Sequence, residues 1–337
     1  MPLEPCLQII QDGKTLSVQQ MHQAMRHIMN GEVSQADMSS FLSLLASRGE
    51  TAEEITGAAM ALREKSLSIN APSNAIDCCG TGGDGAHSFN VSTAVALVAA
   101  ACGVPMAKHG NRSASSKSGA ADVLEELGVN LDMDVDVQER ALLDLNFCFM
   151  MAPKHHKAMK HVAAVRKALG IRTIFNLIGP LANPAGTACQ LVGVFDRQWL
   201  LPMAEALRAL GTKRAIIVHG HDGLDEITVC DKTSAVLLSG DGSITERILS
   251  PDDFGVSYHD PKDLTGGDAV VNAAALRGIL SGEKNAYRDI VIVNSAAVLS
   301  LHHNSPDYPA MARLAAEALD NGAAAKVLDD YITLGKG

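Results

Sequence analysis

A chain of 337 residues with 47% hydrophobic content suits one large domain or two unequal ones with a sizeable core. Aromatic residues make up only 4% and the formal charge is −10, which argues against a base-stacking platform and against a general binder of nucleic acid or anionic membrane. Seven cysteines without paired spacing read as reduced thiols, no basic-then-apolar leader opens the sequence, and its longest apolar stretch, 94–102, is far too short to span a bilayer, so a soluble cytoplasmic protein is expected.

Residues 17–66 predict three helices. Val18, Met21, Met25 and Ile28 recur at helical spacing, Ser34 with Asp37 and Thr51 with Glu54 read as capping boxes, and Gly31 and Gly49 stop the preceding helices. Pro72 suits a hinge. Beyond it, expected strands at 76–79, 104–108, 147–151, 191–194, 215–219 and 234–238 alternate in part with helices rich in Ala and Leu. The pattern predicts an α/β fold: a small N-terminal helical domain (1–72) followed by a larger α/β domain (73–337) with a mostly parallel central sheet flanked by helices. The mostly helical segment near 154–190 is expected to return to the first domain. Helices are expected at 269–280, 286–301 and 309–331.

The first βα connection is the most informative. Asp77-Cys-Cys-Gly-Thr-Gly-Gly-Asp-Gly85 packs four glycines into six residues, followed by Asn90-Val-Ser-Thr93. Such glycines let successive N–H groups converge on an anion. A helix capped by Ser92 or Thr93 would add its free N–H groups and positive end. Gly80, Gly82 and Gly85 satisfy G-x-G-x-x-G, but no helix opens inside the glycines, and the next strand ends in Lys108 where an acidic residue would grip a ribose. No Gly-Lys-Ser/Thr closes a P-loop either. A third kind of phosphate site is expected.

A second strand-to-helix loop, Lys108 to Gly119, carries three cationic side chains, four serines and two glycines, and ligands collect at the carboxyl ends of parallel strands. After the strand at 215–219, Asp225 and Glu226 offer adjacent carboxylates of the kind Mg2+ uses together with substrate phosphates. Arg166, on an expected helix, could hold a carboxylate in a two-pronged grip, although a surface arginine is the default. His155, His156, His161, His302 and His303 lack zinc-ligand spacing and read as helix-face or cap residues, and no Gly-x-Ser-x-Gly elbow is present.

Taken together, the runs 77–85, 90–93, 108–116, Arg172-Thr-Ile-Phe-Asn-Leu-Ile-Gly-Pro-Leu-Ala-Asn-Pro184, 222–226 and Leu280-Ser-Gly-Glu-Lys-Asn285 resemble the signatures of the anthranilate phosphoribosyltransferases, in the same order along nearly the whole chain. The resemblance implies transfer of the phosphoribosyl group from phosphoribosyl pyrophosphate to the amine of anthranilate, in tryptophan biosynthesis, by a homodimer joined through its helical domains. It implies that Gly80, Gly83, Asp84, Ser88, Asn90, Val91, Ser92 and Thr93 bind phosphoribosyl pyrophosphate. Lys108, His109, Gly110, Asn111, Arg112, Ser113, Ala114, Ser115, Ser116 and Ala120 complete that site. Ser92, Asp225 and Glu226 would hold Mg2+, and Gly80, Asn111 and Arg166 would meet anthranilate. No general base is assigned. Three departures from the family pattern are visible: Ala120 stands in place of a serine, His87 lies within the glycine loop, and His302-His303 occupies a usually small, apolar place. A pyrimidine nucleoside phosphorylase of the same fold would not need the Asp225–Glu226 pair. A non-catalytic relative that binds nucleic acid is disfavoured by the net acidity.

Overall fold

The computed structural model describes residues 3–85, 88–113 and 117–336. Four helices open the chain: α1 (Glu4–Gln11), α2 (Val18–Met29), α3 (Gln35–Arg48) and α4 (Ala52–Glu64). The three expected within 17–66 form, and α1 precedes them; with only eight residues it carries too little periodicity to be read from sequence. Thr51 and Glu54 make a reciprocal capping box, and so do Ser17 and Gln20. Ser34 departs from the expected box. Its hydroxyl accepts from the Asp37 N–H at 3.1 Å but donates to the Asp37 carboxylate at 2.7 Å. An aspartate, one methylene shorter than the glutamate of the motif, bonds the capping hydroxyl and not the backbone N–H beyond it.

Seven strands follow: β1 (Ile76–Gly80), β2 (Met106–Gly110), β3 (Phe147–Met151), β4 (Cys189–Gly193), β5 (Arg214–Gly220), β6 (Thr233–Leu238) and β7 (Ile244–Leu249). They form one sheet of order β3-β2-β1-β4-β5-β6-β7. The first five are parallel, and β6 and β7 add antiparallel at one edge. All six expected strands are present. The seventh is not expected from sequence because most of β7 is exposed and lacks a buried face.

The helices around the sheet are α5 (Val91–Ala101), α6 (Ala120–Glu126), α7 (Val135–Leu145), α8 (Ala152–His155), α9 (Lys160–Leu169), α10 (Phe175–Ile178), α11 (Leu200–Ala209), α12 (Ala269–Leu280), α13 (Ala286–His303), α14 (Tyr308–Asp320) and α15 (Ala323–Leu334). The helix expected over 309–331 is two helices, broken at Gly322, whose φ of +77° ends one and starts the next. Strand alternation divides the core. Ile216 and Val218 face α5, α13 and α15, whereas Ala215 and Ile217 face α11 and the N-terminal helices. Val162, Val165, Phe175, Leu177 and Leu181, from the segment after β3, are buried in that second core. Among the described residues no helix is long and apolar enough to cross a membrane.

Candidate active site

Four of the five parallel strands end in glycine: Gly80, Gly110, Gly193 and Gly220. At two of these ends the reason is close approach. A Cβ on Gly80 would fall on the Asp225 carboxylate, and one on Gly193 would fall on the Asp225 carbonyl. The segment 221–226, which follows β5, is thereby pressed onto the carboxyl ends of β1 and β4. The Gly82 N–H donates to Asp225 Oδ2 at 2.8 Å, so the glycine loop and the acidic pair share a hydrogen bond. Gly82 and Gly83 hold φ of +65° and +75°, where a side chain is strained.

Charge is concentrated here. Burial pushes the Asp225 carboxyl up to about 7, and the neighbouring Asp84, which hydrogen-bonds it, adds to the rise, while the Gly82 N–H opposes it. Burial and then Asp225 raise Glu226 well above the usual carboxylate range; Lys108 opposes. Lys108 does not end its strand, as expected from sequence. It lies mid-strand in β2 and is 1% exposed, with Nζ donating to the Cys78 carbonyl at 2.8 Å and to Ser92 Oγ at 3.1 Å. Its charge therefore reaches the site from beneath. The donor set, two crowded carboxylates and a serine hydroxyl, fits a hard cation. Among the described residues no three His, Cys, Asp or Glu side chains are set to enclose a metal. A cation here would draw its remaining oxygens from water and substrate, as Mg2+ does.

Helix α5 begins one residue before Ser92, with Asn90 at the capping position. Neither Ser92 nor Thr93 caps it: both lie in its first turn, and Thr93 is fully buried with its hydroxyl unpartnered among the described residues. Val91 is buried beside them. Ser88, at the end of the glycine loop, forms a bridge with Thr265. In the first turn of α5 the Val91 N–H donates to the Phe89 carbonyl at 2.9 Å and the Ser92 N–H bonds Glu226, so what this end of the helix offers an anion is chiefly its positive dipole.

The second loop uses its charge differently. Arg112 makes a two-pronged bond to Glu125, at 2.6 and 2.8 Å, and reaches Asp122 at 2.9 Å. Asp122 also accepts from the Ser113 and Gly119 N–H groups, at 3.0 and 2.8 Å. Asn111 is exposed, and its carbonyl accepts from Ala121 at 3.2 Å. Ala120 opens α6 beside Gly110. Ala114, Ser115, Ser116 and His87 lie outside the described residues. His109 is buried in β2, its ring edge-on to His156 with centroids 5.1 Å apart. Burial, then the two neighbouring histidines, push His109 down to about 3, and burial pushes His156 down to about 4. Both are neutral. His109 Nε2 and both His156 ring nitrogens have no partner among the described residues. His156 is the C-cap residue of α8, one of the two placements expected, and it is buried there. His155 is buried too, its Nδ1 bonded to the Leu67 carbonyl at 2.6 Å.

Arg166 comes from α9, which packs on α2 and α3. Its guanidinium is half-buried, 5.5 Å above the Phe175 ring, and no carboxylate pairs with it among the described residues. Burial lowers its pKa, yet a guanidinium stays charged at any ordinary pH. Sequence reasoning gives no role to Arg172. Its guanidinium donates to the Gly83 carbonyl and stacks 4.2 Å over Phe195, whose own N–H donates to Thr81 Oγ1 at 3.0 Å. The signal for it is position alone: a cation between α9 and the Ile174–Pro184 run. His302 and His303 end α13, and His302 lies near Arg214 at the opposite, amino end of β5, so that departure is remote from this site.

The description "Glycosyl transferase family, a/b domain" matches residues 72–325, and the helical bundle domain of the same family matches residues 4–66. The anthranilate phosphoribosyltransferase of Rhodospirillum rubrum is 49% identical over 97% of this chain and 94% of its own length. That of Azospirillum brasilense is 48% identical over 96% of this chain and 90% of its own. Among solved structures, the anthranilate phosphoribosyltransferase of Thermus thermophilus superposes with a TM-score of 0.92 at 39% identity, covering 98% of this chain and 99% of that one. The Saccharomyces cerevisiae enzyme in complex with PRPP and Mg gives a TM-score of 0.91 at 29% identity, covering 99% and 98%.

Proposed function

For a chain that belongs to this glycosyl transferase family and acts as an anthranilate phosphoribosyltransferase in tryptophan biosynthesis, we propose a division of labour across the cleft. The backbone N–H groups of the glycine loop and the positive end of α5 hold the pyrophosphate and ribose phosphate. Asp225 and Glu226, with the Ser92 hydroxyl, hold Mg2+. Magnesium bound there supplies stabilisation of the negative charge that pyrophosphate gains. Lys108 orients Ser92 and offsets Glu226 from below. Arg166 grips the anthranilate carboxylate from the opposite wall, which fixes where the ortho amine points.

Bond making then depends on placement. The anthranilate amine is a weak nucleophile, so the ribose carbon must develop oxocarbenium character as pyrophosphate departs, and a cleft that excludes water keeps hydrolysis from competing. The observation that carries this reading is the Gly82–Asp225 hydrogen bond, which ties an anion-binding loop to a cation-binding pair. Loss of anthranilate fluorescence that requires both phosphoribosyl pyrophosphate and Mg2+ is the expected result. Turnover at full rate after exhaustive chelation would remove the metal from the reading.

We further propose that two copies associate through the helical unit, α1–α4 with the returning segment 154–190, the chain dividing near residue 72. The shared core of those elements and the family likeness support it. Sedimentation at twice the monomer mass is expected, and a monomer at working concentration would end it.

A further inference from the structure

The turn at 265–268 docks on the far side of the glycine loop. Thr265 bridges Ser88, the Phe89 N–H donates to the Leu264 carbonyl at 3.2 Å, and α12 starts immediately afterwards. Asn272, in the first turn of α12, is 1% exposed. Its side chain sits between this turn and Asn90.

The two ends of an amide side chain are told apart by the hydrogen bonds around it. Here an unambiguous donor fixes the assignment. The Gly267 backbone N–H points at one Asn272 side-chain atom at 2.7 Å, and an N–H can bond only an acceptor, so that atom is Oδ1. The other end is then Nδ2, which donates to Asn90 at 2.8 Å and to Ser118 Oγ at 2.9 Å. The Asn90 atom it meets must be Oδ1, which also accepts from Ser118 Oγ at 3.4 Å. Asn90 is thus left presenting Nδ2, a donor with no acceptor among the described residues. The Asn90 backbone is held separately, its carbonyl accepting from Tyr287 Oη at 3.1 Å. A backbone N–H in one turn therefore dictates, through Asn272, that the α5 cap offers a donor and not an acceptor.

We propose that Asn272 is a positioning residue for phosphoribosyl pyrophosphate: it locks the Asn90 amide so that its NH2 faces the anionic substrate. The proposal rests on the reading that Asn90 contacts that substrate. Without the lock, Asn90 could present either end, and a carbonyl oxygen turned toward a phosphate or ribose oxygen would repel it.

A double-mutant cycle on Asn90 and Asn272 tests this. Asn272→Asp keeps the acceptor for Gly267 but cannot donate, so Asn90 should turn its NH2 toward residue 272 and its oxygen toward the substrate. The expected result is a rise of about tenfold in KM for phosphoribosyl pyrophosphate, with KM for anthranilate little changed. In an Asn90→Ala background the same substitution should add almost nothing. If its full effect persists there, Asn272 acts through its new charge or through general stability, and the positioning role is overturned. If Asn90→Ala alone leaves KM for phosphoribosyl pyrophosphate unchanged, Asn90 does not touch the substrate and the underlying reading fails first. Should Asn272→Asp not fold, Asn272→Ala frees the Asn90 amide without adding charge. A smaller rise in the same KM, again absent with Asn90→Ala, supports the proposal, and an unchanged KM overturns it.

Discussion

The loops after β1 and β2 contain similar material, glycines, hydroxyls and charge at a strand end, and they satisfy it in opposite ways. The β1 loop takes its partners from far along the chain: Asp225 on the Gly82 N–H and Arg172 on the Gly83 carbonyl. The β2 loop takes the partners of its charge from the helix that follows it, with Asp122 and Glu125 holding Arg112 and two loop N–H groups, while its Ser118 hydroxyl meets Asn90 and Asn272. Distant partners make a loop's conformation depend on the whole cleft; local charge partners make a loop electrostatically self-contained. Residue type at a strand end does not say which of its charges the protein pairs within itself.

The largest effect should come from the distant partners of the β1 loop. Asp225→Asn with Glu226→Gln keeps size but removes both carboxylates, and loss of a metal-binding pair worth several kcal/mol should cost at least about a hundredfold in kcat/KM. Circular dichroism should be unchanged. Near-normal turnover at ordinary Mg2+ would reduce the pair to loop supports.

Next in size is Arg166, which belongs to neither loop. A charge-assisted hydrogen bond is worth about 1.5–3 kcal/mol, so Arg166→Ala should lower anthranilate kcat/KM by roughly tenfold to a hundredfold. Arg166→Lys should recover only part of it, lacking the planar fork. If the Ala variant still prefers anthranilate over aniline as wild type does, the carboxylate is read elsewhere.

A direct comparison of two arginines then sets the β1 and β2 loops against each other. Arg172→Ala releases the Gly83 carbonyl, and a bond worth about 1 kcal/mol predicts a rise of roughly fivefold in KM for phosphoribosyl pyrophosphate. Arg112→Ala removes an exposed ion pair of the kind worth up to about 1 kcal/mol of stability, and should leave that KM nearly unchanged. The reverse outcome, a large KM effect from Arg112 and none from Arg172, would mean that Arg112 leaves Glu125 for the substrate and the loops are not as different as they look.

Local sequence carries the elements well and the partnerships poorly. Strand-helix alternation, the Thr51–Glu54 box and the glycine loop are legible because each is written within a few residues. Sequence alone places the β2 strand two residues early, at 104–108 instead of Met106–Gly110, and that shift turns the buried Lys108 into an exposed strand-end cation. Ser92 and Thr93 look like caps because they are good capping residues, yet Asn90 holds the capping position and its oxygen is committed to Asn272, 182 residues away. The neutral state of His109 and His156 likewise follows from burial, which no spacing reveals. The acidic pair is legible only in company with the phosphate loops, since an Asp-Glu turn alone is usually solvated.

The effect most remote from turnover concerns the histidines under the β2 end, where stability is the readout, and its sign can be worked out. His109 and His156 titrate in the folded protein at about 3 and about 4, below the ordinary value near 6.5 of an unfolded histidine. Each contributes stability that is complete above pH 6.5 and is lost as pH falls toward the folded value, because only the unfolded chain takes up the proton. Asp225, raised to about 7, works in the opposite direction: its contribution is complete below the unfolded carboxylate range and is lost as pH rises through about 7. The wild-type stability curve therefore mixes both signs between pH 4 and 7, and only a difference isolates the histidines. His156→Gln removes one of them at similar volume. Between pH 7 and pH 5 wild type should lose about 2 kcal/mol more than the variant, from 1.36 kcal/mol per pH unit of unequal protonation. Removing His156 also removes one of the two histidines whose charge holds His109 down, which should narrow the acid loss further. Urea melts of both proteins at a series of pH values give this difference directly. Curves that stay parallel from pH 7 to pH 5 would mean that His156 takes up a proton in the folded state. A charged imidazole beside His109 would then place a cation under the β2 loop, and that loop would no longer be the electrostatically self-contained one of the two.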